Sequence, residues 1–143
     1  MDVKMTVAEI AALFAAEFPQ IPPEFGIDAV GHMTARVRWA VRVADLRPGG
    51  TVAGPTMFSL ADLGVYVAIL AQIGPKALTV TTSAHIDFMR KPAEGRDLVG
   101  EVRILKLGRA LVVAEVLIHS DGSDAPVARA SFTYSIPPEK GAG

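Results

Sequence analysis

The most unusual chemical group in the sequence is a single carboxylate inside its most apolar segment. Asp62 is the only charged residue in the run GPTMFSLADLGVYVAILAQI, residues 54–73. A carboxylate withdrawn from water is costly unless it has hydrogen-bond partners, takes up a proton or performs a task. In a dry cleft such a group can act as a general base or a nucleophile. Asp62 is therefore the first candidate catalytic residue; the alternative is that it caps a turn or emerges at an interface.

A second candidate, Gly54, stands where this segment begins. The first N–H groups of a helix lack intrahelical partners and lie at the positive end of its dipole, so they can stabilise negative charge developing on an oxygen. Gly54 lies eight residues before Asp62, roughly 12 Å along a helix. The two groups cannot reach one carbonyl from the same chain. Two such helices packed antiparallel about a two-fold axis would bring them together, which predicts a dimer with two shared sites.

The segment that carries both candidates is predicted to be a long helix over residues 54–73. Its length would also suffice to cross a bilayer. However, Asp62 would then cost at least about 2.5 kcal/mol near the bilayer centre, and no Lys/Arg cluster flanks the run. A helix that is apolar on nearly every face is typical of a buried core helix, and Pro55 suits its first turn. We therefore expect a central helix covered by the rest of the fold and no membrane span.

The residues before this helix predict one more helix and one strand. Thr6 and Glu9 have capping-box spacing, and apolar residues follow at helical intervals, which predicts an amphipathic helix over 6–18. Between residues 33 and 43 the sequence alternates as on a half-buried strand. One face carries Arg36, Arg38 and Arg42, and the other carries Val37, Trp39, Val41 and Val43.

The remainder of the sequence reads as four antiparallel strands. They are ALTVTTSAHIDFMR (77–90), LVGEVRILKL (98–107), ALVVAEVLIHS (110–120) and VARASFTYSI (127–136). Gly108 and Arg109 are predicted to form a tight hairpin connection between the second and third. Helix, strand, long helix and four strands indicate an α+β domain. We expect a single domain over residues 1–143, with 138–143 as a mobile tail.

Composition excludes several classes of function. The 143 residues have a net charge of −1 and no basic block, so nucleic acid is not an expected partner. The absence of cysteine excludes disulfides, thiolate metal sites and cysteine nucleophiles. No histidine cluster suggests a metal, and no phosphate-binding or dinucleotide motif suggests a cofactor. The N-terminus lacks the features of a signal peptide, so we expect a cytoplasmic protein.

Other polar residues are weaker candidates. His85 and Asp87 form an H-x-D pair on one face of a predicted strand, a pattern that is more often structural or at the surface. Arg90, Lys91 and Arg109 could contact phosphates at the mouth of a cleft, although such side chains are more often simply solvated.

Two runs carry a family resemblance. GGTVAGPTMFSLADLGVYVA and TTSAHIDFMRKPAEGRDLVGEVRILKLGRALVVAEV resemble the hotdog-fold thioesterases of the phenylacetate-degradation (PaaI-like) type, over roughly Ala44 to Ile136. The resemblance implies a hotdog fold, in which an antiparallel sheet wraps a long central helix, here with an additional N-terminal helix. It also implies hydrolysis of an acyl-CoA thioester without a cofactor, in a homodimer with shared active sites that assembles further as a dimer of dimers.

The resemblance also assigns roles to residues. The Gly54 N–H polarises the thioester carbonyl, and Asp62 acts as nucleophile or general base. A Ser/Thr at the start of the next strand positions water; this falls on Thr81, with Thr82 one residue away. We expect the substrate to contact a set of mostly cationic residues around the site, namely Arg47, Pro55, Thr82, Arg90, Lys91 and Arg109.

The turn before the central helix departs from the family pattern. The histidine-glycine-glycine turn of the family reads Ala53-Gly54-Pro55 here, and Arg47 replaces an asparagine of some relatives. Pro55 leaves the Gly54 N–H available. The altered turn motivates an alternative, a non-catalytic hotdog module that binds acyl-CoA or another acyl ligand. A hotdog hydratase fits the strand-borne H-x-D pair poorly, and a role in dimerisation alone is the remaining alternative.

Overall fold

Two helices and eight strands make up the part of the chain that the computed structural model describes, residues 3–138. In chain order they are α1 (Val7–Glu17), β1 (Phe25–Gly31), β2 (Thr34–Trp39), a 3-10 turn (Val43–Asp45), β3 (Leu46–Arg47), β4 (Thr51–Val52), α2 (Gly54–Ile73), β5 (Val80–Phe88), β6 (Leu98–Leu107), β7 (Leu111–Ser120) and β8 (Pro126–Ser135). The predicted mobile tail, apart from Pro138, lies outside the described residues.

Six of the strands form one antiparallel sheet in the order β1-β2-β6-β7-β8-β5. The sheet wraps α2. Its two edges are β1 and β5, which stand at the ends of the strand order. The short strands β3 and β4 pair with each other in the loop that leads into α2. This arrangement confirms the predicted α+β fold of hotdog type with an additional N-terminal helix.

Helix α2 is the core of the fold. Twelve of its twenty residues are buried, because the sheet covers most of its circumference. Its most apolar window has a mean hydropathy of 1.6, enough for a membrane span by composition, yet 67% of that window is buried inside the protein. At Gly64 the helix comes so close to the sheet that a Cβ would lie 2.9 Å from Val37 and 3.0 Å from Val102. The segment is a core helix, as its apolar circumference predicts.

Helix α1 begins with the predicted capping box. The Glu9 N–H donates to the Thr6 hydroxyl at 3.2 Å, and the Thr6 N–H donates to Glu9 Oε1 at 2.9 Å. The inward face of α1 then packs on α2 through Phe14, whose ring stacks on Tyr66 at 5.6 Å. Phe18, just after α1, contacts the same tyrosine edge-on at 6.2 Å. The N-terminal helix therefore completes one wall beside the middle of α2.

In the first half of the chain, the predicted bounds of one strand are wrong and another strand was not predicted. The strand predicted over 33–43 is shorter, since Val43 lies in the 3-10 turn and is 87% exposed. The strand β1 was missed altogether. Its sequence FGIDAVG has glycines and an aspartate, which are depleted in strands. Pairing with β2 outweighs that preference. The register shifts between Ile27 and Ala29, so Asp28 stands at an irregularity of the strand.

Candidate active site

Asp62 lies on the half-exposed face of α2 and is held by two hydroxyl groups. The Thr81 hydroxyl donates to Asp62 Oδ1 at 2.6 Å. The Tyr134 hydroxyl lies 2.8 Å from the same oxygen and 2.7 Å from the Asp62 carbonyl oxygen. Thr81 on β5 and Tyr134 on β8 are register partners in the sheet, so one cross-strand pair presents both donors to the helix. Within residues 3–138 no hydrogen bond reaches Asp62 Oδ2, which leaves that oxygen available for chemistry.

Tyr134 is a site residue that the sequence analysis did not single out. Its side chain is 3% exposed, and a buried phenol normally requires a hydrogen-bond partner. The inward-facing position of Tyr134 on an alternating strand was the available signal, but its partner is distant in sequence. Burial, and then the charge of Asp62, raise the pKa of Tyr134 well above its ordinary value. The phenol therefore remains protonated and serves as a donor.

A hollow of about 220 Å³ lies beside Asp62. Besides Asp62, Thr81 and Tyr134, it is lined by Phe18, Leu63, Tyr66, Ala77, Thr79 and Val80. Aromatic and aliphatic groups predominate among these residues. The carboxylate thus borders a small, mainly apolar space.

Gly54 lies at the N-terminal end of α2, eight residues before Asp62, in a larger cleft of about 620 Å³. It is the first residue of the helix, and Ala53, in extended conformation, precedes it without a side-chain cap. No hydrogen bond within the described part of the chain uses the Gly54 N–H. A Cβ at this position would lie 3.0 Å from the Phe88 ring. The site therefore offers an unpaired N–H at a helix N-terminus beside an aromatic wall.

Several predicted substrate-binding residues share the cleft with Gly54. Arg47 enters from the β3–β4 hairpin, Pro55 from the first turn of α2, and Arg90 and Lys91 from the segment after β5. Three cationic side chains therefore line the same cleft as one helix N-terminus. Such a cluster can bind phosphate groups through charge-assisted hydrogen bonds.

The structure does not bring all predicted site residues together in one chain. Asp62 and Thr81 border the small hollow, whereas Gly54 borders the larger cleft. Thr82 stands at a bulge in β5, where its hydroxyl donates to the Thr133 carbonyl at 3.2 Å, away from Asp62. Of the two threonines considered for this position, Thr81 contacts Asp62 and Thr82 does not.

Two other candidates lie elsewhere. Arg109 belongs to the β6–β7 connection and lines a different hollow, with Gln72 at the C-terminal end of α2. His85 Nε2 and Asp87 Oδ1 form an exposed hydrogen bond at 3.0 Å, and Arg129 donates to the same carboxylate at 3.1 Å. The H-x-D pair is a surface feature of the sheet.

The loop before α2 contains a buried carboxylate that the sequence analysis also missed. Asp45 is 4% exposed and accepts hydrogen bonds from Trp39, Arg42 and Thr56. Burial alone raises the pKa of Asp45, but the hydrogen bonds from Arg42, Trp39 and Thr56 outweigh it and lower the pKa below its ordinary value. Asp45 is therefore an ionised carboxylate that binds donors from three different residues. Nothing in the local pattern DLRPGG distinguished it from a solvated loop residue.

Comparisons with known proteins point to one family. The sequence profile of the thioesterase superfamily matches residues 49–127, more than half of the chain. A candidate esterase from Pseudomonas aeruginosa is 32% identical over 89 residues, a match that covers 62% of this chain. The match spans 65% of the length of that relative, slightly less than two thirds.

Solved structures share the fold. A candidate thioesterase from Silicibacter sp. TM1040 is 50% identical, with a TM-score of 0.88 and 96% of each chain covered. The PaaI protein of the phenylacetic acid degradation operon of E. coli is 20% identical, with a TM-score of 0.78 over 90% of this chain and 91% of that one. A hypothetical thioesterase from Streptococcus pneumoniae, solved with coenzyme A, is 20% identical, with a TM-score of 0.71 over 87% and 94%. At 20% identity the likeness concerns the fold alone.

Proposed function

The chain belongs to the thioesterase superfamily, and from this premise we propose that it hydrolyses acyl-CoA thioesters, with Asp62 and the Gly54 N–H acting on the same thioester. The observation that carries the proposal is the environment of Asp62. Two hydroxyl groups hold Oδ1, while Oδ2 has no hydrogen-bond partner in the described chain. A carboxylate fixed in this way beside an apolar hollow can act on water or on a carbonyl carbon.

Two routes through Asp62 lead to the same products. As a general base, Oδ2 takes a proton from water while the water oxygen attacks the thioester carbon. As a nucleophile, Oδ2 attacks that carbon itself, the C–S bond breaks, and water then hydrolyses the resulting anhydride. In both routes negative charge develops on the carbonyl oxygen, where the Gly54 N–H stabilises it. The sulfur leaves as the thiolate of coenzyme A and takes up one proton of the consumed water, and the acyl group leaves as a carboxylic acid.

The positions of the two groups support a site shared between chains. Both lie on α2, eight residues apart, which is roughly 12 Å along the helix. A thioester carbon within reach of Asp62 Oδ2 holds its carbonyl oxygen too far from the Gly54 N–H of the same chain. In the proposed mechanism the oxyanion donor comes from a second copy of the chain, and the proposed active unit is a dimer with two equivalent sites.

The free edge of the sheet offers a way to form this dimer. Strand β5 is an edge strand, and Val80 and Phe88 at its two ends are 54% and 53% exposed. The unpaired N–H and C=O groups of an edge strand can pair with the edge strand of another chain. Antiparallel pairing of two β5 strands about their middle would set the Phe88 end of one beside the Val80 end of the other. Phe88 lines the Gly54 cleft, and Val80 lines the Asp62 hollow, so this pairing joins the two halves of the site.

The cationic cleft around Gly54 supports the choice of coenzyme A as carrier. Arg47, Arg90 and Lys91 line it, and coenzyme A carries a pyrophosphate and a further phosphate that suit such side chains. The structural neighbour from Streptococcus pneumoniae was solved with coenzyme A, which agrees with this choice. Arg109 lies away from this cleft, and we assign it no contact with a substrate bound in the cleft of the same chain.

A panel of acyl-CoA esters tests the proposed function. We expect release of free thiol, followed with a thiol-reactive dye, for at least one class of acyl group. Binding measured by calorimetry without thiol release would favour the second candidate, a non-catalytic module for acyl ligands. The uncapped Ala53 turn is the observation behind that candidate. A protein that neither binds the acyl-CoA esters nor releases thiol from them would contradict both candidate functions.

Tyr134→Phe should lower kcat about tenfold with little change in KM. The variant keeps the buried ring and removes one hydrogen bond to a charged group, worth about 1.5 kcal/mol or one factor of ten in rate. The matched control is Tyr66→Phe, because Tyr66 borders the same hollow but donates to the Ala77 carbonyl at 2.6 Å and not to Asp62. Equal losses of kcat in both variants would show that Tyr134 does not act through Asp62.

A further inference from the structure

The loop between β2 and α2 is organised around the buried Asp45 carboxylate. Oδ2 accepts from the Trp39 indole at 3.1 Å and from the Arg42 N–H at 2.8 Å. Oδ1 accepts from the Arg42 guanidinium at 3.2 Å and from the Thr56 hydroxyl at 3.2 Å. Trp39 belongs to β2 and Thr56 to the first turn of α2. One carboxylate therefore ties the sheet to the beginning of the central helix.

Asp45 holds the helix entrance on both sides of Gly54. On the preceding side, its carbonyl oxygen accepts from the Ala53 N–H at 2.7 Å. On the following side, its carboxylate accepts from the Thr56 hydroxyl. Gly54 and Pro55 are the only residues between these two attachment points. The Gly54 N–H lies in the Ala53–Gly54 peptide plane, whose carbonyl accepts from the Thr56 and Met57 N–H groups at 3.1 and 3.4 Å. The Asp45 contacts hold the residues on either side of that plane.

The N-cap position makes this outside support necessary. Ser, Thr, Asp and Asn are strongly preferred at that position because their side chains accept from the first free N–H groups, but Ala53 provides no side-chain cap. A helix entrance without a cap frays more easily than one whose first turn is anchored. The contacts from Asp45 replace local capping by an anchor to the sheet, through Trp39, which is itself buried.

We infer that Asp45 is a positioning residue that aims the Gly54 N–H at the substrate through its hydrogen bonds to Ala53 and Thr56. The catalytic consequence of this inference rests on the proposed function. A donor stabilises a developing oxyanion only if it is already oriented when the charge appears. Misplacement of a reacting group by about 1 Å costs up to about 10²-fold in rate. Loosening the anchor should therefore lower kcat more than it raises KM.

Thr56→Val is the variant that tests this inference. It removes the hydroxyl bond to Asp45, keeps the branched shape, and leaves Trp39 and Arg42 bound to the carboxylate. Thr56 does not line the Gly54 cleft, so the substitution does not alter the substrate surface directly. We expect kcat to fall by about 10- to 100-fold with KM within about twofold of wild type, and Thr56→Ser to restore most of the loss.

Gln72→Leu is the matched control. It removes another buried side-chain hydrogen bond of α2, from Gln72 to the Gly31 carbonyl at 2.8 Å, at the far end of the helix. Both substitutions should lower the melting temperature, but only Thr56→Val should lower kcat. Wild-type kcat in Thr56→Val, or an equal loss in Gln72→Leu, would overturn the inference.

The Gly54 amide resonance provides a readout that does not depend on activity. Thr56→Val should shift or broaden the amide signals of Ala53 and Gly54 and speed their hydrogen exchange, whereas Gln72→Leu should leave them unchanged. If the wild-type protein releases no thiol, the proposed function is contradicted. The amide signals still test whether the hydrogen bonds from Asp45 hold Gly54 in place. Unchanged Gly54 signals in Thr56→Val would refute the anchor even in an active enzyme.

Discussion

Asp62→Asn should lower kcat for thioester hydrolysis at least about 10²-fold while the chain remains folded. The asparagine oxygen can still accept the hydrogen bonds that Thr81 and Tyr134 now donate to Oδ1. The amide nitrogen replaces Oδ2, so the side chain can neither take a proton from water nor attack a carbonyl carbon. The variant thus removes the chemistry and keeps the local geometry.

The measurement is thiol release at saturating acyl-CoA, together with the thermal melting curve of the same sample. Asp28→Asn is a suitable control, because Asp28 is an exposed carboxylate on β1, at the opposite edge of the sheet from β5, and it pairs with Arg38. It should hydrolyse the substrate at the wild-type rate. Full activity in Asp62→Asn would remove Asp62 from the reaction.

Gly54→Pro is the second substitution with a large expected effect. Proline removes the N–H and suits the first position of a helix and the extended Ala53 that precedes it. It also adds a Cβ, which would lie 3.0 Å from the Phe88 ring and directly before Pro55. Removal of one oxyanion donor typically costs about 10²- to 10³-fold in kcat. We expect a loss of this size with a modest change in KM.

Gly54→Ala separates loss of the N–H from added bulk. Alanine retains the donor but adds the same Cβ, which would lie 3.0 Å from the half-exposed Phe88 ring. Since the contact is with the far end of the Phe88 side chain, the ring can move by a few tenths of an ångström. Gly54→Ala should therefore keep most of the activity that Gly54→Pro loses. Equal losses in both variants would indicate crowding of the cleft and would contradict an oxyanion role for the N–H.

The parts of the fold that the sequence predicts are those encoded by local patterns. The uniform apolar run over 54–73 specified a buried helix, and the single charge within it singled out Asp62. The Thr6–Glu9 spacing specified the start of α1. Each of these signals lies within one turn or one element, where composition and periodicity are decisive.

The features that were missed depend on partners far along the chain. Strand β1 has an unfavourable local sequence and exists because β2 pairs with it. Tyr134 meets Asp62 across 72 residues, and Asp45 is buried because Trp39 and Thr56 converge on it. Contacts of this kind follow from the assembled sheet and not from the residues that flank each position.

The most direct test of the central claim mixes the two inactive variants in one dimer. In a dimer of one Asp62→Asn chain and one Gly54→Pro chain, one shared site has both groups intact and the other has neither. Random assortment makes half of the dimers mixed, so co-refolded chains should regain about a quarter of the wild-type activity. Co-refolded chains that stay as inactive as either variant alone would contradict a thioesterase site built from Asp62 of one chain and Gly54 of another.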